Sequence, residues 1–332
     1  MINLGKLPGD YEAKKGDVLT GKLEGNKKIT VAPGATVTLR KADITSLQNS
    51  EYRAPFAGIT LLGDATVNIE GTNEVMGGYE DYPGILVPKN HTLTINGDGT
   101  LKVYSNGYSD GCCGIGGMRL ADSGNIVIKG GNIFAIGGSY CAAIGSSCGA
   151  ACGTITISGG KIIATGGIQA AGIGSGADGS CSDIIISGGT VNATGGDNAA
   201  GIGSGAGGKC SDINISGGTV TATGGLFGAG IGTGAKLESA SACGTITISG
   251  GKIIATGGIQ AAGIGSGASS RCSNINISGG TVTAIGGQDG AGIGSGGYLE
   301  DYGGASCLDI TITKDVILVT AIKGENAQAI GN

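Results

Sequence analysis

Apolar and polar residues alternate along this chain in short bursts separated by glycine pairs. Ile184 and Ile186 fall on one face of an extended segment, and in the next segment Val191 and Ala193 face one way while Thr190, Asn192 and Thr194 face the other. The same Val/Ile-x-Ala pairing returns at Ile133/Ala135, Ile162/Ala164, Val220/Ala222, Ile253/Ala255 and Val282/Ala284. Period-two alternation rich in Ile, Val and Thr predicts strands. Glycine pairs such as Gly159-Gly160, Gly188-Gly189 and Gly217-Gly218 break every segment and argue against helices.

The pattern repeats. An isoleucine preceded by Gly or Ala stands at 59, 85, 115, 144, 173, 202, 231, 264, 293 and 330, with separations of 26, 30, 29, 29, 29, 29, 33, 29 and 37. Ile29 extends the series backward by 30. Each unit offers three short strands and three turns, as in GIGSG, DIIIS and TVNAT. That is one coil of a right-handed parallel β-helix, an all-β solenoid whose coils hydrogen-bond at ~4.8 Å. About ten coils would make a rod of roughly 48 Å on that spacing. The repeat predicts a single β-helix domain over 1–332: an amino-terminal cap and first strand at 1–28, with the polar Gly9–Leu19 segment capping the first coil, then coils over 29–332. A β-propeller is the runner-up, but its blades need ~40 residues and four strands. Residues 153–177 recur identically at 244–268, an internal duplication of three coils.

Composition sharpens this reading. Glycine supplies 73 of 332 residues, yet it lacks the period of collagen, and 40% of the chain is hydrophobic against 14% charged, which excludes disorder. The net charge of −5 comes with no basic patch, so nucleic acid is set aside. No run of ~18 apolar residues exists to span a bilayer, and no signal peptide is present.

The runs YEDYPGILVPKNHTLTINGDGTL, CGTITISGG and AAGIGSGA resemble the repeats of large surface proteins from gut anaerobes that are labelled carbohydrate-binding. The broader likeness, over about residues 20–332, is to the pectin-lyase-like β-helix superfold. The resemblance implies a parallel β-helix at the cell surface or outside the cell. That superfold hosts lyases, hydrolases, adhesins and plain binders, and no catalytic motif carries over residue by residue.

Six of the ten cysteines share one register: Cys152, Cys181, Cys210, Cys243, Cys272 and Cys307. Stacked coils would align them in a ladder. Buried free thiols are the favoured reading, because free cysteine packs as a small hydrophobe. Disulfides between neighbouring coils compete, although in-register side chains point in parallel. A metal site is disfavoured, since ligands should converge and no CxxC pair exists. Cys112, Cys113, Cys141 and Cys148 lie off the register, with Cys112-Cys113 filling a corner.

Other motifs fall short. GIGSGAGG at 201–208 imitates a phosphate-binding loop, but a strand follows where a helix is required. GSGAD at 174–178 lacks the nine-residue tandem period of calcium-binding repeats. The outward Thr219/Thr221/Thr223 row suggests an ice-binding face, but its neighbours contain Lys161 and Lys252. His91 is the only histidine and reads as a solvated strand-edge residue.

The turn before each Gly/Ala-Ile pair varies most. In early coils it is aromatic and acidic: Glu51-Tyr52-Arg53, Tyr79-Glu80-Asp81-Tyr82, Tyr108 to Asp110, and Tyr140. Stacking should bring these onto one edge. Tyrosine offers a flat apolar face and a hydroxyl to a sugar ring, and carboxylates accept hydrogen bonds from sugar hydroxyls or can hold calcium. The plain alternative is a solvated turn surface. A second cluster, Tyr298, Glu300, Asp301 and Tyr302, can equally cap the last coils. The expected function is a non-catalytic carbohydrate-binding or adhesive module for an extended polysaccharide, with no cofactor or metal required. The alternative is a polysaccharide lyase or glycoside hydrolase, using Asp81 with Asp110, or Arg53 beside Glu80 and Asp81. The chain stops at Ala329-Ile330-Gly331-Asn332, the start of another coil, so either the stack continues or residues 296–307 and the final segment shield its end.

Overall fold

A computed structural model describes residues 1–45, 48–49, 52–53, 55–78, 81–105, 112–235, 241–300 and 303–331, with backbone alone at 48–49 and 52–53. The chain is a right-handed parallel β-helix. One parallel sheet has twelve strands among the described residues, and ten of them are the Gly/Ala-Ile strands. Each of the ten expected isoleucines, from Ile59 to Ile330, opens one of these anchor strands. Ile29–Val31 and Tyr11–Ala13 lie before them in the same sheet.

The second and third strands of each unit stack into a larger sheet, also in parallel. Ile155, Ile184 and Ile213 align down one row, and Ile162, Val191 and Val220 down another. These side chains are fully buried, so the period-two pattern does select the core face. Their outward neighbours include Thr190 and Thr219, flanked by Lys161 and Lys252, which breaks any regular threonine lattice.

Two glycine positions have stacking causes. The second glycine of each corner pair has positive φ, as at Gly189 with +83°. In the anchor strand, Gly174 has φ +133°, and a Cβ there would sit 1.9 Å from the carbonyl oxygen of Gly203 in the next coil. The coils approach too closely for any side chain at that point.

The structure adds a short strand before the second one. It carries the ladder cysteine, as in Ala151–Cys152, Ser180–Cys181 and Lys209–Cys210. In later coils it fuses with the second strand, giving Ala242–Ile248, Arg271–Ile277 and Ser306–Ile312.

At the amino end Gly9–Leu19 lies on the first coil in strand form: Tyr11–Ala13 pairs with Ile29–Val31, and Val18–Lys22 pairs with Thr36–Ile44. A 3-10 turn at Leu4–Lys6 adds to this and buries Leu4, while Ile2–Asn3 pairs with Leu19 and Thr20. Leu4 and Leu7 were hidden from a repeat search because they belong to no repeat. At the other end Ile317 is 80% exposed and Leu318 54%.

Candidate functional site

The variable turns join the third strand of one unit to the next anchor strand. Their backbones bond from coil to coil. Gln169 N–H donates to the carbonyl of Ser139 at 3.1 Å, Phe227 to Asp197 at 2.9 Å and Asp289 to Ile259 at 2.9 Å. In the early coils Gly78 N–H donates to Phe56 at 2.9 Å. Among the described residues these turns stack coil on coil along one edge of the rod.

Of the residues read from the sequence, Glu51, Tyr79, Glu80, Tyr108 and Asp110 lie outside the described residues, as do Asp301 and Tyr302 of the later cluster. Tyr52 and Arg53 form one arm of a small antiparallel hairpin, opposite Asn49 and Gln48. Asp81 is exposed and Tyr82 half-buried on the turn before Ile85. Tyr140 is exposed on the turn before Ile144, two coils further along, which is roughly 10 Å on the inter-strand spacing.

Asp81 does not stand alone. Its Oδ1 lies 4.0 Å from Nη1 of Arg119 in the following coil. The arrangement of Arg53 beside Glu80 and Asp81 lies outside the described side chains; among those described, the cation beside Asp81 is Arg119, which no local spacing singles out. Both side chains are well exposed, so the pair adds little stability. It fixes a charged point on the edge.

A second feature was also missed. In the later coils Ile168, Leu226 and Ile259 hold about half their surface in water on this edge, with the exposed Asp197 stacked between Ile168 and Leu226. Each follows a Gly-Gly pair, and that register was the available signal. Beside them the Oε1 atom of Gln260 is buried without a hydrogen-bond donor.

A different side of the rod carries a shallow groove of about 420 Å³, where the cysteine-bearing strand bends into the second strand. Ser182, Lys209, Ser211 and Ser273 are among its lining residues. A neighbouring concavity of about 260 Å³ includes Lys89, Asp122 and Asn125 and shares Ala151, Cys152 and Ser182 with the first. Lys89 Nζ lies 2.9 Å from Asp122 Oδ2, and Asp122 Oδ1 accepts the N–H of Ala151 at 2.9 Å. The lysine and that backbone donor hold the Asp122 carboxyl below its ordinary range.

The glycine-rich runs cannot serve a phosphate. The N–H groups of residues 204–208 are all committed, with Gly205 donating to Ser175 Oγ at 3.0 Å and Ala206 to the Gln169 carbonyl at 3.0 Å. His91 adjoins the strand Thr92–Gly97, its N–H donating to the Pro88 carbonyl. Among the described residues no group of three or more His, Cys, Asp or Glu side chains is placed to hold a metal ion.

All six ladder cysteines are buried and in no disulfide, each in register with the next. Cys112 and Cys113 are buried in their corner, where their thiols donate to the carbonyls of Gly117 and Gly145.

A family model described as the beta helix repeat matches the chain six times, at 126–148, 155–177, 184–206, 213–235, 246–268 and 275–297. Each match runs from the start of a second strand to just past the next anchor strand. This chain is a β-helix repeat protein. The ladder cysteines from Cys152 to Cys272 fall in the gaps between matches, so they are additions to the general repeat. No curated protein matches the chain, and no solved structure does. No helix is long and apolar enough to cross a membrane among the described residues.

Proposed function

We propose that this β-helix repeat protein is a non-catalytic carbohydrate-binding or adhesive module that recognises an extended polysaccharide outside the cell or at its surface. The observation that carries this reading is the stacked edge. Tyr82, Tyr140, Ile168, Leu226 and Ile259 lie along one line of turns, with Asp81 and Arg119 at its early end. Repeated apolar faces suit successive sugar rings, and charged groups suit their hydroxyl or carboxylate substituents. A rigid, coil-by-coil platform also limits the ordering cost of binding a long ligand.

A glycan panel assayed for both binding and turnover tests this. Saturable binding of a polysaccharide without new reducing ends or unsaturated products supports the module. Release of either product class makes the chain a hydrolase or a lyase instead.

A further inference from the structure

We propose that the cysteine ladder is an oxidative cross-linking site, in which low-molecular-weight disulfides convert six reduced thiols into three coil-to-coil disulfides: Cys152–Cys181, Cys210–Cys243 and Cys272–Cys307. This inference is independent of the carbohydrate reading.

The geometry carries it. In-register residues on neighbouring parallel strands are separated by ~4.8 Å, inside the Cα range of about 4.4–6.8 Å that a disulfide spans. The objection that such side chains point in parallel does not hold here. The Sγ atoms of Cys152 and Cys181 lie 2.9 Å apart, with the Cys152 thiol donating to Cys181. The contacts continue from Cys181 to Cys210 and from Cys210 to Cys243, while Cys272 bonds to Cys307. Cys243 thus takes its thiol partner from Cys210, and Cys272 takes its own from Cys307. A run of four plus a separate pair leaves one way to pair every thiol with a neighbour it already touches.

Access comes from outside the core. The groove between the cysteine-bearing and second strands counts Cys152, Cys181, Cys210 and Cys243 among its lining residues. Cys152 and Cys210 each keep 4% of their surface in water, whereas the neighbouring core isoleucines Ile155 and Ile213 keep none.

The chemistry is thiol–disulfide exchange. One protein thiolate attacks a sulfur of glutathione disulfide and expels one glutathione thiolate. The neighbouring thiolate then attacks the mixed disulfide and expels the second. Each disulfide formed consumes one glutathione disulfide and yields two glutathione thiols, which carry the two protons lost by the protein. Hydrogen bonds with neighbouring thiols together with burial hold Cys181 and Cys243 above the ordinary thiol pKa, while the same bonds from their neighbours bring Cys210 down to about 5 and lower Cys307. Cys210 and Cys307 are therefore the attacking thiolates of their pairs, and burial should keep closure slow in the folded protein.

The test uses the full reduced chain in buffers of rising glutathione disulfide to glutathione ratio, with circular dichroism showing that the fold persists. Remaining thiols are alkylated and the disulfides mapped by mass spectrometry. The expected result is loss of ladder thiols in pairs, the three named disulfides, and a thermal midpoint several degrees higher. The Cys272→Ala/Cys307→Ala variant should still form the other two. Ladder thiols that stay reduced, that stop at mixed disulfides, or that close mainly as Cys181–Cys210 overturn the proposal.

Discussion

The hydroxyl of Ser175 accepts the backbone N–H of Gly205 from the next coil at 3.0 Å, inside a fully buried turn. Ser146, Ser204, Thr233 and Ser266 make the same bond to Gly176, Gly234, Gly267 and Gly296. The hydroxyl at this position is therefore a stacking device in these five coils. Replacing Ser175 by alanine leaves a buried donor unpaired, which costs about 1–3 kcal/mol. Urea denaturation of Ser175→Ala should show that loss with the fold otherwise retained.

Asn73 plays a comparable part among the early coils. Its side chain is buried, Oδ1 accepts the N–H of Ala42 at 2.9 Å, and Nδ2 donates to the carbonyls of Glu70 and Thr100, both at 3.2 Å. Three coils meet at one amide. Asn73→Leu should destabilise by about 1–3 kcal/mol or more for the groups left unpaired, and equilibrium unfolding reads this directly.

The core is a continuous apolar column, and Ile202 sits in it with no exposed surface. Ile202→Asp should cost about 2–7 kcal/mol by burying an unpaired polar group. A chelator, by contrast, should leave the thermal midpoint of the parent unchanged, because the core needs no metal. Differential scanning calorimetry checks both outcomes.

Tyr11 supplies a pH-dependent element near the amino end. Its hydroxyl donates to Asp17 Oδ2 at 2.8 Å. Burial, then that bond and the negative charge of Asp17, push its pKa from 10.0 to about 12. A pKa raised on folding means that the protonated form is favoured in the folded state. Its contribution is complete below pH 10.0 and is lost as pH rises toward about 12. Tyr11→Phe should therefore be less stable than the parent near neutrality, and the gap should narrow above pH 10.0. Paired melts across that range provide the measurement.

The fold was legible because one rule, a small residue followed by Ile about every 29 residues, places the ten coils from Ile59 onward, and alternation then assigns each face. What escaped the sequence lay outside that rule. Leu4 closes the amino end from a non-repeating segment. Arg119 reaches Asp81 from the next coil, and nothing in local spacing links the two. Ile168, Leu226 and Ile259 lie in short variable turns, and their exposure on one edge follows from stacking, not from local spacing. The cysteine register was plain, but the approach of Cys152 to Cys181 depends on side-chain torsions that no spacing encodes.

The central claim is that the stacked turns form a polysaccharide-binding edge. Its most direct test compares the parent with Tyr82→Ala/Tyr140→Ala for affinity toward the glycan that the panel selects, with thermal melts run in parallel. Loss of two aromatic platforms should weaken binding by about 1–3 kcal/mol, as stacking platforms do elsewhere, and leave the melting temperature nearly unchanged. Undiminished affinity in the double variant would contradict the account and reduce the edge to a turn surface.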